Sequence, residues 1–376
     1  MVSLVPPRRF LFGPGPTQIE DRVYEAMSQP VVGYLDPYFF KVSEDVRAGL
    51  REVFGTRNPF TLALSGTGSS GMEAAVANFV DPGSKLVVFT AGFFADRIAE
   101  MGRRHGAEVI RSEKPWGGSF TETEVRDVLR REKPQTVAFV HGETSTGVMQ
   151  APTAITKPAH EIGALVIADC VTSLGATPVR VDESEIDIAY SCSQKGLSCP
   201  PGLSPFTVSP RALEWLKARK LDCPVWYLDL KLLAEYYDLP HKYHHTAPIS
   251  SFYALREGLA AIQEEGVERR FERHARAHAE FVRRIESMGL RMFAPAGHRL
   301  PNLNTVRVPE GVDDALVRRD LLAEHGIEVG AGFGPLAGKI FRIGVMGPLA
   351  NDAGLDLFFG AFEKCVQAAG TLAGKI

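Results

Sequence analysis

Lys195 stands in SCSQKGLSCPPG (191–202), just after the apolar run IDIAY, with glycine behind it and two prolines shortly beyond. An amine at that place, among small residues, has room to hold, release and recapture a carbonyl carbon. Read alone it is equally a solvated surface lysine. Asp169 ends another apolar run, ALVIA, where a carboxylate is costly unless it is solvated or paired. Read alone, it caps the next turn. SGTGSSG (65–71) carries G-x-G-x-x-G at Gly66, Gly68 and Gly71. A dinucleotide fingerprint also needs an acid at the end of the following strand, but KLVVFTAG ends in Thr90, Ala91 and Gly92. No Gly-Lys-Ser/Thr closes the loop, so it is not a Walker motif. What remains is either a capped tight turn or an anion cup of free N–H groups and the hydroxyls of Thr67, Ser69 and Ser70. In KIFRIGVMG, Arg342 lies between Phe341 and Ile343. A guanidinium inside an apolar strand calls for an anion, and its planar fork binds a carboxylate through two parallel hydrogen bonds. The other reading is an outward-facing strand residue.

The elements that must position these groups follow from the apolar pattern. FTLALSG (60–66), KLVVFTAG (85–92), TVAFVHGE (136–143), ALVIADC (164–170) and IDIAYSCS (186–193) alternate with helical stretches such as MEAAVANFV (72–80). Successive apolar positions suit strands buried on both faces, and strand–helix alternation predicts an α/β fold around a mostly parallel sheet. Past about Val267 the texture changes: the charged helix FERHARAHAEFVRRIESMG leads to LRMFAP, NLNTVRVP and KIFRIGVMG, a smaller α+β unit. The division we expect is an N-terminal arm at 1–17, a large domain at 18–265 and a small domain at 266–376.

Ligands in open parallel sheets bind beyond the carboxyl ends of the strands. The 66–71 loop, Thr144, Asp169 and Lys195 all lie just past such ends, so a cup, a hydroxyl, a carboxylate and an amine converge on one crevice. Pyridoxal 5'-phosphate needs that set: a cup for its phosphate, a carboxylate beside its protonated ring nitrogen, and an amine for a Schiff base with its aldehyde.

Composition narrows the partners. The 376 residues are 45% hydrophobic and 23% charged, with a formal net charge of -3. No basic surplus points to nucleic acid or a membrane surface. No apolar stretch reaches the roughly 18 residues of a membrane span. MVSLVPPRRFLFGPGP does not read as a signal peptide. The five cysteines (170, 192, 199, 223, 365) suit neither a disulfide framework nor a paired zinc site, and no metal is expected. Reduced thiols in a cytoplasmic protein are the expectation.

Over nearly its whole length the chain resembles the class V (fold type I) pyridoxal-phosphate aminotransferases of the alanine–glyoxylate, serine–glyoxylate and serine–pyruvate group. The stretches that carry the resemblance are FGPGPT (12–17), SGTGSSGMEAA (65–75), HGETSTGV (141–148), ADCVTSLGATP (168–178), SQKGLSCPPG (193–202), KYHHTAPISSFYALREGL (242–259) and KIFRIGVMGP (339–348). The resemblance implies a fold type I large domain with a seven-stranded type of sheet. It makes Lys195 the Schiff-base lysine and Asp169 the ring-nitrogen partner, with Val171 on one ring face. Thr67, Gly68 and Ser69 would bind phosphate, with help from Gln194, and Thr144 would sit near the ring hydroxyl. Relatives often carry tryptophan where this chain has Phe93 and Phe94; we take Phe94 as the stacking residue. Ser69 replaces a bulkier residue common in relatives. Tyr243 and Thr246 would complete the neighbouring subunit's site, making a homodimer. Arg342 would clamp the substrate α-carboxylate, and Gly33 and Tyr34 would shape the pocket.

The implied reaction moves an amino group from alanine or serine to glyoxylate or pyruvate through a Lys195 aldimine. The alternatives are a 2-aminoethylphosphonate-type aminotransferase or a lyase or desulfurase. Cys365 is the only cysteine of the expected small domain, and its helical setting argues against a desulfurase. From a different class, a non-catalytic binding protein or a dinucleotide oxidoreductase would lack the cofactor's visible absorbance.

Overall fold

The computed structural model describes residues 4–373, with side chains through residue 370. Residues 1–3 of the expected arm and 374–376 of the expected small domain lie outside the described residues. The apolar runs form β1 (Phe60–Ser65), β2 (Lys85–Thr90), β3 (Glu108–Glu113), β4 (Thr136–Val140), β5 (Leu165–Asp169), β6 (Ile188–Tyr190) and β7 (Leu203–Val208). They make one seven-stranded sheet in the order β1-β7-β6-β5-β4-β2-β3. Only β7 runs against its neighbours; the remaining pairs are parallel. Strands β1, β4, β5 and β7 are buried along their whole lengths, as a sheet covered on both faces requires. The expected α/β fold with a mostly parallel seven-stranded sheet is therefore met.

Helices α1 (Pro37–Phe54), α2 (Gly68–Phe79) and α3 (Phe93–Arg104) belong to this layer. The Asp36 side chain caps α1 by accepting from the Tyr38 amide, Pro37 opens it, and Gly55 closes it in the left-handed conformation, the asymmetry expected at helix ends. Helix α2 follows β1 and α3 follows β2, so both N-termini point to the same edge as the strand C-termini. Helix α4 (Ile249–Glu265) packs on α1, and Gly266 separates it from α5 (Val267–Ser287).

A second core is built from α5, α6 (Asp352–Ala373) and an antiparallel sheet of β8 (Leu303–Arg307), β9 (Gly330–Ala331) and β10 (Ile340–Gly344), ordered β8-β10-β9. Phe281, Phe341, Phe358 and Phe362 fill it. Phe12 joins this core from the far end of the chain, its ring 5.2 Å from that of Phe358. Phe10–Leu11 pairs with Ile327–Glu328, and the Gly344 amide donates to the Phe12 carbonyl at 2.8 Å. The Thr17 amide then donates to the Gln194 carbonyl at 3.0 Å. Residues 10–17 thus run from the second core directly to the loop carrying Lys195. Among the described residues, no helix is long and apolar enough to cross a membrane.

Candidate active site

The sheet register sets the first pair of groups. Asp169 ends β5 opposite Tyr190 of β6 and Val140 of β4. The Tyr190 hydroxyl donates to Asp169 Oδ2 at 2.9 Å, and the Val171 amide donates to Oδ1 at 2.9 Å. Burial raises the Asp169 pKa; these two donors and, farther off, Lys195 and Arg97 oppose the rise.

The loop after β6 carries Lys195, which is 7% exposed. Its Nζ donates to Thr172 Oγ1 at 2.8 Å and to Thr144 Oγ1 at 3.0 Å, and the two threonine hydroxyls contact each other. Burial lowers the Lys195 pKa and Arg342 pushes the same way, while Cys192, Asp169 and Glu143 pull against it. The amine is therefore easier to deprotonate than an ordinary lysine.

Arg342, on β10, reaches the same place from the second core. Its Nε donates to the Ala331 carbonyl at 2.6 Å, and its guanidinium carbon lies 3.8 Å from the Phe333 ring centroid. Its two terminal nitrogens have no hydrogen-bond partner among the described residues, although the residue is only 4% exposed. Burial pushes its pKa down to about 10, opposed by Glu143, so it stays charged at neutral pH.

One cavity of about 360 Å³ gathers these groups. Its wall includes Thr67, Gly68, Ser69, Phe94, Thr144, Asp169, Val171, Gln194, Lys195 and Arg342, which are ten of the residues singled out in the sequence. Phe94 rather than Phe93 is on that wall, with its ring centroid 5.7 Å from Lys195 Nζ. Phe93 turns instead to Phe333, 5.1 Å between centroids.

The family model for class-V aminotransferases matches residues 9–339. The chain belongs to the class-V aminotransferase family. A solved structure of alanine–glyoxylate aminotransferase from Nostoc sp. is 44% identical, covers 97% of each chain and superposes with a TM-score of 0.96. The (S)-ureidoglycine–glyoxylate transaminase of Bacillus subtilis is 38% identical over 99% of this chain and 94% of its own length. The alanine–glyoxylate aminotransferase of Callithrix jacchus is 38% identical over 96% of this chain and 88% of its own.

Class-V aminotransferases are pyridoxal-phosphate enzymes, and this aminotransferase has a cavity that fits the cofactor. No side chain caps α2, and the Ser70 amide donates to the Thr67 carbonyl, which leaves the Gly68 and Ser69 N–H groups for an external acceptor. A Cβ on Gly68 would lie 2.9 Å from Val171 Cγ2 and 3.2 Å from Cys192 Cβ, so only glycine lets the cup close over that wall. Gln194 lines the cavity with its side-chain oxygen buried and without a partner. Its NH2, a donor, is the end of the amide that can meet a phosphate oxygen. Phe94 and Val171 offer two apolar faces, and Asp169 offers the buried carboxylate that a protonated ring nitrogen needs.

Four singled-out residues are not on this wall. Gly33, Tyr34, Tyr243 and Thr246 form no part of it. Tyr34 and Tyr243 instead pack together, 4.9 Å between centroids, and Tyr243 is 55% exposed. The stretch carrying Tyr243 and Thr246 is tied back to the strand before the cup, because His245 Nε2 and Ser65 Oγ are 2.8 Å apart.

Other site groups escaped the sequence reading. Thr172 shares the Lys195 amine, and its one visible signal is a hydroxyl three residues after Asp169. Glu143 is fully buried and accepts from the Ser145 amide and hydroxyl and from the Phe94 amide at 3.2 Å. It thereby caps the start of α3 and seats Phe94. Pro14, Arg97 and Phe333 also line the cavity, and no local pattern marks them.

Proposed function

We propose that the protein transfers the amino group of a small amino acid, alanine or serine, to a small 2-oxo acid, glyoxylate or pyruvate. The carrying observation is the buried Lys195 amine on two threonine hydroxyls, in one cavity with Asp169 and the unpaired fork of Arg342. The relatives named for glyoxylate as acceptor support this reading. No cysteine lines the cavity, and Cys365 is buried in the second core, which speaks against a desulfurase.

Pyridoxal phosphate, when bound, supplies an electron sink for the charge left as the α-proton departs. The first amides of α2, with Thr67, Ser69 and Gln194, would hold its phosphate. Asp169 would hold a proton at its ring nitrogen, Phe94 and Val171 would keep water from its faces, and Thr144 would serve its hydroxyl side. Arg342 binds the donor's α-carboxylate through its two free terminal nitrogens and so orients the α-carbon toward Lys195. Thr144 and Thr172 hold the Lys195 amine whenever it is free. Lys195 Nζ, neutral at lower pH than a free lysine, takes the donor's α-proton and, in the second half-reaction, delivers a proton to the acceptor's α-carbon.

The reading extends to a cytoplasmic homodimer with a division near Gly266. Tyr243, Trp226, Tyr227 and Leu239 are exposed, and Tyr34 packs half-buried against Tyr243, more apolar surface in one region than isolated surface residues account for. A second copy covering that face would bring Tyr243 and Thr246 to the partner's phosphate cup and Gly33 and Tyr34 to its substrate. The five free cysteines fit a reducing compartment. Borohydride reduction of the cofactor-loaded protein, followed by peptide mapping, is expected to label Lys195; a label elsewhere, or none, refutes the assignment. Half-reactions with a panel of amino acids then rank alanine and serine against larger donors.

A further inference from the structure

Arg270 is buried, 4% exposed, on the first turn of a helix whose other arginines are mostly at the surface. A guanidinium taken out of water must find partners for its N–H groups, and those it has found are informative. Nε donates to the Gly175 carbonyl at 2.7 Å and Nη2 to the Gly196 carbonyl at 2.8 Å. Nη2 also reaches Ser198 Oγ at 3.3 Å, and Nη1 donates to Glu265 Oε2 at 2.9 Å. Gly175 belongs to the loop that follows Asp169, and Gly196 is the residue after Lys195. One planar cation therefore spans the two loops that carry the acid and the amine.

The loops meet there backbone to backbone. A Cβ on Gly196 would stand 2.2 Å from the Leu174 carbonyl oxygen, and one on Gly175 would stand 2.9 Å from that of Gly196. With no side chain between them the two loops approach closely, and the guanidinium fork binds one carbonyl of each. We propose that Arg270 is a positioning residue for transamination: it sets the placement of Lys195 relative to Asp169 by bridging the Gly175 and Gly196 carbonyls. The inference rests on the roles proposed for Lys195 and Asp169. A lysine at 270 would keep the charge, but a point donor cannot span two carbonyls as a planar fork does.

The test uses the cofactor-loaded enzyme and its Arg270→Lys and Arg270→Met variants. Four quantities are measured: kcat, KM for the amino donor, the pH midpoint of the cofactor's visible band, and the thermal midpoint. In both variants kcat is expected to fall about 10- to 100-fold, the cost of a misplaced reacting group. Donor KM should change less than about threefold, and the pH midpoint should move by about half a unit or more. Methylguanidinium added to Arg270→Met should recover part of the lost rate. A kcat and a pH midpoint at wild-type values would overturn the proposal, whatever the thermal midpoint does. If Arg270→Met does not fold, Arg270→Lys decides alone; failure of both to fold would make Arg270 a folding residue and overturn it. Wild type measured alongside separates the two assignments. A wild type that never takes up the cofactor refutes the Lys195 reading and this one with it, whereas a normal wild type beside unchanged variants refutes only this one.

Discussion

Tyr190 and Asp169 stand opposite each other at the ends of neighbouring parallel strands, and the phenol donates to the carboxylate at 2.9 Å. Both are buried to 2% exposure or less. The bond opposes part of the rise that burial gives the Asp169 pKa. Tyr190→Phe removes one donor and leaves the packing nearly unchanged. Loss of a hydrogen bond to a charged group predicts a fall of about tenfold in kcat/KM, with a weaker hold on the cofactor. Steady-state kinetics and a cofactor titration check both.

Asp169→Asn is expected to abolish transamination and yet stabilise the cofactor-free protein. Burial raises the Asp169 pKa in the folded state, so between the unfolded and folded values the native chain binds more protons than the unfolded one. Stability contributed by this group is then present at low pH and lost as pH rises through the folded value. Asparagine never ionises and avoids that loss. Thermal unfolding of the cofactor-free variant at pH 8 should show a higher midpoint than wild type; a lower one refutes the argument. The gain should vanish once the cofactor is bound.

Arg342→Lys tests the carboxylate clamp. The ammonium keeps a charge but offers no fork and loses the contact with Phe333. Donor KM is expected to rise about 10- to 100-fold; the wild-type clamp itself adds no pH dependence below pH 8, because its guanidinium titrates only near 10. An unchanged KM would place the substrate carboxylate elsewhere.

Subunit complementation tests the proposed homodimer. Lys195→Ala chains and Tyr243→Phe/Thr246→Ala chains should each be nearly inactive alone. In a random mixture about half the dimers are hybrid, and each hybrid holds one site built wholly from intact residues. Mixing and refolding should therefore recover roughly a quarter of the wild-type rate. No recovery means that Tyr243 and Thr246 do not serve the partner's site.

Acid stability should follow two buried histidines. Burial holds His141 down to about 4 and His274 down to about 3. Below the unfolded histidine value near 6.5 the unfolded chain binds protons that the folded chain refuses, so stability falls as pH drops from about 6 toward 4. Each group contributes up to about 1.4 kcal/mol per pH unit. His274 Nε2 accepts the Gly347 amide at 3.0 Å while Nδ1 lies 2.8 Å from the Arg270 carbonyl, and glutamine can still accept from that amide. Thermal midpoints between pH 7 and pH 4.5 should decline less steeply in a His141→Asn, His274→Gln protein; an identical slope refutes the assignment.

Residues whose position is set by their own short segment could be read in advance. Asp169 and Lys195 each follow an apolar run, and an apolar run in a chain of this pattern becomes a buried parallel strand with its carboxyl end at the ligand edge. The glycines of 66–71 lie between a strand and a helix, and Arg342 sits in an apolar strand. For these, chain-local pattern and the cost of burying charge were enough to name the chemistry. Thr172 on the Lys195 amine, Glu143 beneath Phe94, Phe333 against Arg342 and Arg270 across two loops carry no such mark. Their partners lie 23 to 95 residues away for the lysine and arginine contacts, and only the closed sheet and the packed second core bring them together. By itself, then, the amino-acid sequence determined the fold class and the cofactor, and it named Lys195 and Asp169 as the pair proposed to react. Tertiary structure decided which of Phe93 and Phe94 faces the cavity, which hydroxyls hold the amine and what braces its loop. The physical reason is that hydrophobic periodicity acts locally, whereas a hydrogen bond between distant segments exists only after every strand between them has taken its place.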